Sequence, residues 1–295
     1  METQESLRRK LSGAEDLKTV VRTMKAVAAS NIGQYETAVH SLGDYYRTVS
    51  LGIIGYLSQE KIKSMVEKKE PNVNKEKLIC AIVFGSDQGL VGQFNDSIAD
   101  FVANSLHGLQ GKKEIWAVGE RVQLLLSDMG YNTSKLFAVP SSVNAITPLI
   151  QQVLAQSETF FDNNKNSEVY IFHNQPKSAA AYVPAIQRLL PLDEKWRQSL
   201  TTLQWPTKLP PQVIGGIKPT LLALIHEYLF TSLFKASAES LASENASRLA
   251  AMQRAEKNID ELVVELGNKF HSLRQSSIDE ELFDVISGFE VMKDD

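Results

Sequence analysis

Residues 241–273 read LASENASRLAAMQRAEKNIDELVVELGNKFHSL. Within them Leu241, Asn245, Leu249, Met252, Ala255, Ile259, Leu262, Leu266, Phe270 and Leu273 recur at intervals of three or four. That narrow seam is the mark of a coiled coil, not of the broader stripe on a helix lying on a globular core. The helical pattern runs from Pro219 to Val291 with no proline inside it. At 1.5 Å per residue, roughly 70 residues extend on the order of 100 Å, so the seam needs a partner of matching length.

The other end of the chain offers one. From Leu7 to about Leu57 the pattern is again helical and free of proline, with Leu7, Leu11, Ala14, Val21, Met24, Ala28, Tyr35, Ala38, Leu42, Tyr45 and Val49 on one seam. Arg8, Arg9, Lys10, Lys18, Arg22 and Lys25 give its first half a basic surface, whereas the C-terminal helix is acidic, with a cluster at Asp279, Glu280, Glu281 and Asp284. Two seams of opposite charge at the two ends predict an intramolecular antiparallel coiled coil. The plainer alternative is two amphipathic helices on a globular body, and both patterns outrun the roughly 10–14 residues usual there.

Between the ends the periodicity changes. Leu78–Phe84 (LICAIVF), Glu114–Val118, Leu136–Val139 and Val169–His173 read as strands, and an extended segment runs toward Leu189-Leu190-Pro191. Helices are expected at Phe94–Leu106, Glu120–Met129 and Ala145–Phe161. Such alternation implies βαβ units and a mostly parallel sheet. The expected division is an N-terminal coiled-coil helix over 1–60, a charged linker over 61–77, an α/β domain over 78–205, a linker over 206–218 and a C-terminal coiled-coil helix over 219–295.

Composition excludes several classes. The apolar fraction of 43% is that of a folded chain. A net charge of −4 with no dominant basic face argues against nucleic-acid binding. Met1–Ser6 is polar with no apolar run behind it, so neither a secretory signal nor a membrane span is expected, and membrane association would come through partners. The lone Cys80 sits in an apolar run and reads as a buried, inert thiol.

Sites for chemistry are scarce. The turn Gly85-Ser86-Asp87-Gln88-Gly89-Leu90-Val91-Gly92 stands where nucleotide-binding loops stand, yet matches neither G-x-G-x-x-G nor a P-loop. A tight turn allowing close strand–helix approach accounts for its glycines. His40, His107, His173, His226 and His271 are scattered, and His226-Glu227 is followed by Phe230 where a zinc helix needs a second histidine. No catalytic residue, cofactor or metal ligand is expected.

Five segments, in order, carry a resemblance. They are MKAVAAS (24–30), SDQGLVGQFN (86–95), LLPL (189–192), ASENASRLAAM (242–252) and RQSSIDEELFDVISG (274–288). Together they resemble the gamma subunit of F-type ATP synthases, over essentially the whole chain. The resemblance implies antiparallel terminal helices with a Rossmann-like domain between them. It also implies a non-catalytic rotor shaft, one copy per complex, that couples ion-driven rotation of the membrane c-ring to the beta catalytic sites, for ATP synthesis or ATP-driven ion pumping. The implied partners are the alpha and beta subunits of the catalytic ring, the epsilon subunit and the c-ring, with no nucleic acid. The implied location is peripheral on the cytoplasmic or equivalent membrane face.

Position by position, Met24 and Lys25 match residues that face the beta lever loop, Arg248 an arginine that pairs with a beta carboxylate, and Arg274 and Gln275 the pair that bonds the ring's catch loop. Each also fits an exposed coiled-coil flank. Gln88, Val91, Asn245, Leu249 and Asp279 depart from the family's Arg, Cys, His, Met and hydroxyl residue, which fits either a divergent, ion-pumping lineage or ordinary drift. The competing readings are a soluble α/β nucleotide-binding enzyme dimerised through its terminal helices, and a coiled-coil scaffold.

Overall fold

The computed structural model describes residues 3–57, 77–164, 166–178, 181–192 and 216–293, with Trp196, Gln198, Trp205, Thr207 and Leu209 besides. The segments expected as linkers, 61–77 and 206–218, lie largely outside the described residues. By compactness the chain divides into two units, Met1–Ala28 with Leu249–Asp295, and Ala29–Arg248. The elements are α1 (Gln4–Leu57), β1 (Leu78–Phe84), α2 (Phe94–His107), β2 (Lys112–Val118), α3 (Glu120–Asp128), β3 (Thr133–Phe137), α4 (Val143–Asn163), β4 (Ser167–Ser178), β5 (Ala181–Leu190) and α5 (Ile217–Lys293). Both α1 and α5 contribute to both units.

In the unit Ala29–Arg248 the strands form one sheet in the order β3-β2-β1-β4-β5. β1 to β4 are mutually parallel and β5 pairs antiparallel to β4. β1 lies at the centre, with Ile82 opposite Trp116 on one side and Ile171 on the other. Its run is apolar throughout because both its faces are covered. Ile79, Ala81 and Val83 cluster with α2 and α3, whereas Cys80, Ile82 and Phe84 join a core with α4, with Tyr35, Val49 and Ile53 of α1 and with Tyr228–Ala242 of α5. Each fully buried large side chain there, Trp116 and Ile53 among them, contributes about 1.5–3 kcal/mol over exposure.

Three strands differ from the sequence expectation. β3 lies at Thr133–Phe137, not Leu136–Val139. It is a sheet edge whose alternate residues meet solvent, so apolar character shows only at its end. β4 continues through the polar residues Asn174–Ser178, and the extended segment after it is a full strand, β5.

The terminal helices pair antiparallel within each unit. In Ala29–Arg248, Tyr45 Oη donates to Glu227 at 2.8 Å, Tyr46 meets Tyr228 at 3.3 Å and Asn31 meets Asn245 at 3.5 Å. In the other unit Lys18 pairs with Asp260, and Arg22 and Lys25 both pair with Glu256. The α1 seam falls at every seventh residue, Leu7, Ala14, Val21, Ala28, Tyr35, Leu42, Val49 and Tyr56, all buried or half-buried. A strict seven-residue repeat on a 3.6-residue helix imposes a left-handed supercoil. Tyr45 and Leu262, expected on the seams, are 45% and 44% exposed, because Tyr46 and Val263 take the inward positions.

Candidate functional site

The Gly85–Gly92 turn leaves the C-terminal end of the central strand. The chain proceeds from β1 toward β2 and β3 on one side, and β4 lies on the other, so the crevice between β1 and β4 is the topological switch point where open α/β sheets bind ligands. Here protein groups occupy it. Asp87 accepts from the backbone N–H of Glu120 at 3.1 Å and of Val139 at 3.0 Å, tying the turn to α3 and to the segment after β3. Ser86 N–H donates to Asn95 Oδ1 at 3.0 Å, and Asn95 Nδ2 returns a bond to Ser86 Oγ at 2.8 Å. Across the crevice Asn174 Nδ2 donates to Phe94 O at 3.0 Å.

The rest of the crevice is filled by α5. His173 Nε2 lies 2.8 Å from Glu239 Oε2, Ser243 Oγ donates to Asn174 O at 3.0 Å, and Ser247 Oγ donates to Val91 O. All six of these residues are at most 7% exposed. The polar side chains of Ser86 and Asp87 are therefore spent inside the protein, while Gln88 stays exposed. Nothing in the sequence pattern announced this stripe beyond polar residues four apart on a helix that packs on both sides.

The residues expected to meet partners divide into two kinds. Lys25 is held by Glu256, whose carboxyl is lowered to about 2 by hydrogen bonds from Lys25 and Arg22. Met24 beside it is half-buried. Arg248 donates to Glu244 at 2.5 Å, and its side chain is 16% exposed. Burial pushes the Glu244 carboxyl up, against the lowering effect of Arg248, and the charge of Asp87 adds to the rise. Arg274 and Gln275, by contrast, are exposed on α5.

Their surroundings are distinctive. Extending the Lys18–Asp260 register to Gln4, where α1 starts, brings it level with Arg274. Past that point α5 has no α1 alongside it among the described residues. Ile278, Leu282, Phe283, Val285 and Ile286 are there 46–69% exposed, an apolar density that a helix in water does not carry without a partner.

A family model described as ATP synthase matches residues 3–292. The chain is 25% identical to the ATP synthase gamma chain of Sulfurihydrogenibium sp. (strain YO3AOP1), with 97% of each covered. The chain belongs to the ATP synthase gamma family. Its fold resembles that in the Tetrahymena thermophila mitochondrial ATP synthase central stalk and c-ring structure, at a TM-score of 0.56 and 22% identity over 80% of this chain and 99% of that one. It also resembles a chain of the Euglena gracilis mitochondrial ATP synthase in rotational state 3, at 0.64 and 16% over 98% and 94%. Membership of the gamma family makes this a non-catalytic subunit. The alternative of a nucleotide-binding enzyme loses its ground, since the crevice it needs is taken up by α5. No helix among the described residues is long and apolar enough to cross a membrane.

Proposed function

We propose that this chain is the central rotor shaft of an F-type ATP synthase, one copy per complex. Turning inside a ring of alpha and beta subunits, it presents a different face to each beta subunit in succession, and only such differential contact can shift a site between conformations. Rotation of the membrane c-ring is thereby coupled to ATP synthesis, or ATP hydrolysis to the transport of protons or sodium ions. The α/β domain, over 78–205, meets the epsilon subunit and the c-ring, and the helices over 1–60 and 219–295 form the coil. The chain is peripheral, held on the cytoplasmic or equivalent face by the complex.

The observation that carries this reading is the stretch of α5 past Arg274, apolar, exposed and, among the described residues, without α1 beside it. Inside a ring of subunits that surface is covered. Arg274 and Gln275, exposed at its base, are free to bond a loop of the ring. Met24 and Lys25 would meet the beta lever and Arg248 a beta carboxylate. Lys25 and Arg248 must exchange Glu256 and Glu244 for a carboxylate of the ring, so each adds little net affinity.

Reconstitution tests the proposal. A cognate alpha–beta ring is assayed for ATPase activity with and without this chain and with Gln275→Ala. The expected result is strong, saturable stimulation at one tightly bound chain per ring, and an affinity about fivefold weaker for the variant, the scale of a lost hydrogen bond. Failure of the wild-type chain to associate with its ring would overturn the reading.

A further inference from the structure

We propose that Glu239, Ser243 and Ser247 form a polar joint that locks α5 against rotation relative to the sheet, making them positioning residues for torque transfer between the coil and the α/β domain. This rests on the shaft reading above. The three residues are four apart, so they stand one above another on one helix face. Each grips the C-terminal end of the sheet at a different point: Glu239 at His173, Ser243 at the carbonyl of Asn174, and Ser247 at the carbonyl of Val91.

Two physical properties distinguish this contact from ordinary packing. First, apolar contact is non-directional and sets the azimuth of a helix less sharply than a hydrogen bond does. Hydrogen bonds have angular requirements, and three along one face fix the azimuth of the helix about its own axis. Beside them Ala236, Ser237, Ala238, Ser240 and Ala242 are buried and small, and most of the bulky side chains that α5 sends into the core, Tyr228, Leu229 and Leu233, lie nearer its start. Over this stretch the hydrogen bonds therefore add a constraint that bulky ridges do not supply. Second, the grip falls on β4 and on the turn after β1, which are adjacent strands at the middle of the sheet. Asn174 passes the connection on to Phe94 at the start of α2. Slippage would strand buried acceptors and a buried carboxylate, each costly to leave unpaired.

The charged surroundings of the pair are few. Lys235 Nζ lies 3.8 Å from the other oxygen of Glu239, and Gln175 and Gln187 line the small cavity beside His173. Among the described residues no second carboxylate lines that cavity, and Glu239 has His173 and Lys235 as its partners there.

The test uses the assembled complex in closed vesicles and compares ATP hydrolysis with ATP-driven ion transport. With Ser243→Ala and Ser247→Ala together, we expect hydrolysis within about twofold of wild type and ion transport down about fivefold, the scale of one to two lost hydrogen bonds. Ser247→Thr, which keeps the hydroxyl, should transport normally, whereas Ser247→Ala alone should show a partial loss. A purely structural role would lower assembly, hydrolysis and transport together. If the double variant fails to assemble, the Ser247→Ala and Ser247→Thr pair decides the matter. Normal transport per ATP in the alanine variants would overturn the joint. A wild-type chain that neither stimulates its ring nor supports transport would instead remove the shaft reading.

Discussion

At φ 115° Gly119 holds a conformation that L side chains rarely adopt, and a Cβ there would stand 2.6 Å from the carbonyl oxygen of Ser86. The tight approach lets Arg121 N–H bond that same carbonyl at 3.0 Å and brings α3 onto the turn after β1. Gly119→Ala should therefore destabilise the chain by about 2–3 kcal/mol, combining backbone strain with a clash that the fixed turn cannot relieve. Urea unfolding measures this, and an unchanged midpoint would contradict the geometry. The glycines of the turn were legible as marks of a tight strand-to-helix connection. Asp87 was not, because its partners Glu120 and Val139 lie 33 and 52 residues along the chain, beyond any local pattern. Glu239, Ser243 and Ser247 were hidden for the same reason. Side chains that read as the polar face of a helix become buried bonds only when another element supplies their acceptors.

Among elements, the paired helices were the most legible because a heptad repeat reports its own burial. What periodicity left open was which of two adjacent residues points inward when the spacing alternates between three and four, and so Tyr45 and Leu262 fell outside. The charge pairs that form use Asp260 and Glu256, the latter taking both Arg22 and Lys25, whereas the acidic cluster at 279–284 lies past the stretch that α1 accompanies. The Glu256 carboxyl sits near 4.5 in the unfolded chain and is lowered to about 2 when folded. Its contribution is thus complete above the higher value and is lost as the pH falls from 4.5 toward 2. Helicity of the chain followed by circular dichroism should decline across that window, and Glu256→Gln should remove the part of the decline that this residue causes while making the remaining pairing less sensitive to salt. An identical acid profile in the variant would show that the three charges do not act together. Edge strands were the least legible elements. β3 alternates toward solvent and pairs on one side only, with β2, so its apolar signal is weak; the outer half of β4 runs past the end of β1, carries polar residues and pairs only with the edge strand β5.

For the molecule as a whole, the sequence conveyed two long seams and a βαβ alternation, and the family resemblance added the function. It could not convey that Tyr35, Val49 and Ile53 of α1 and Tyr228–Ala242 of α5 share one core with β1, β2, β4 and α4. A periodic pattern tells which face of a helix is buried but not what buries it. That shared core matters for a rotor, since a shaft works only if coil and α/β domain turn as one. Cys80 is buried and its thiol is pushed well up by burial, with Glu114 adding to the rise, so a cysteine placed at the exposed Asn104 on α2 can be labelled selectively. The decisive measurement fixes the cognate alpha–beta ring to a surface, attaches a bead through Asn104→Cys, and follows the bead as ATP is supplied. Sustained rotation in one direction, stopping when ATP is removed, is the predicted result. A bead that stays still or only fluctuates on rings that are hydrolysing ATP would contradict the account of this chain as a rotor.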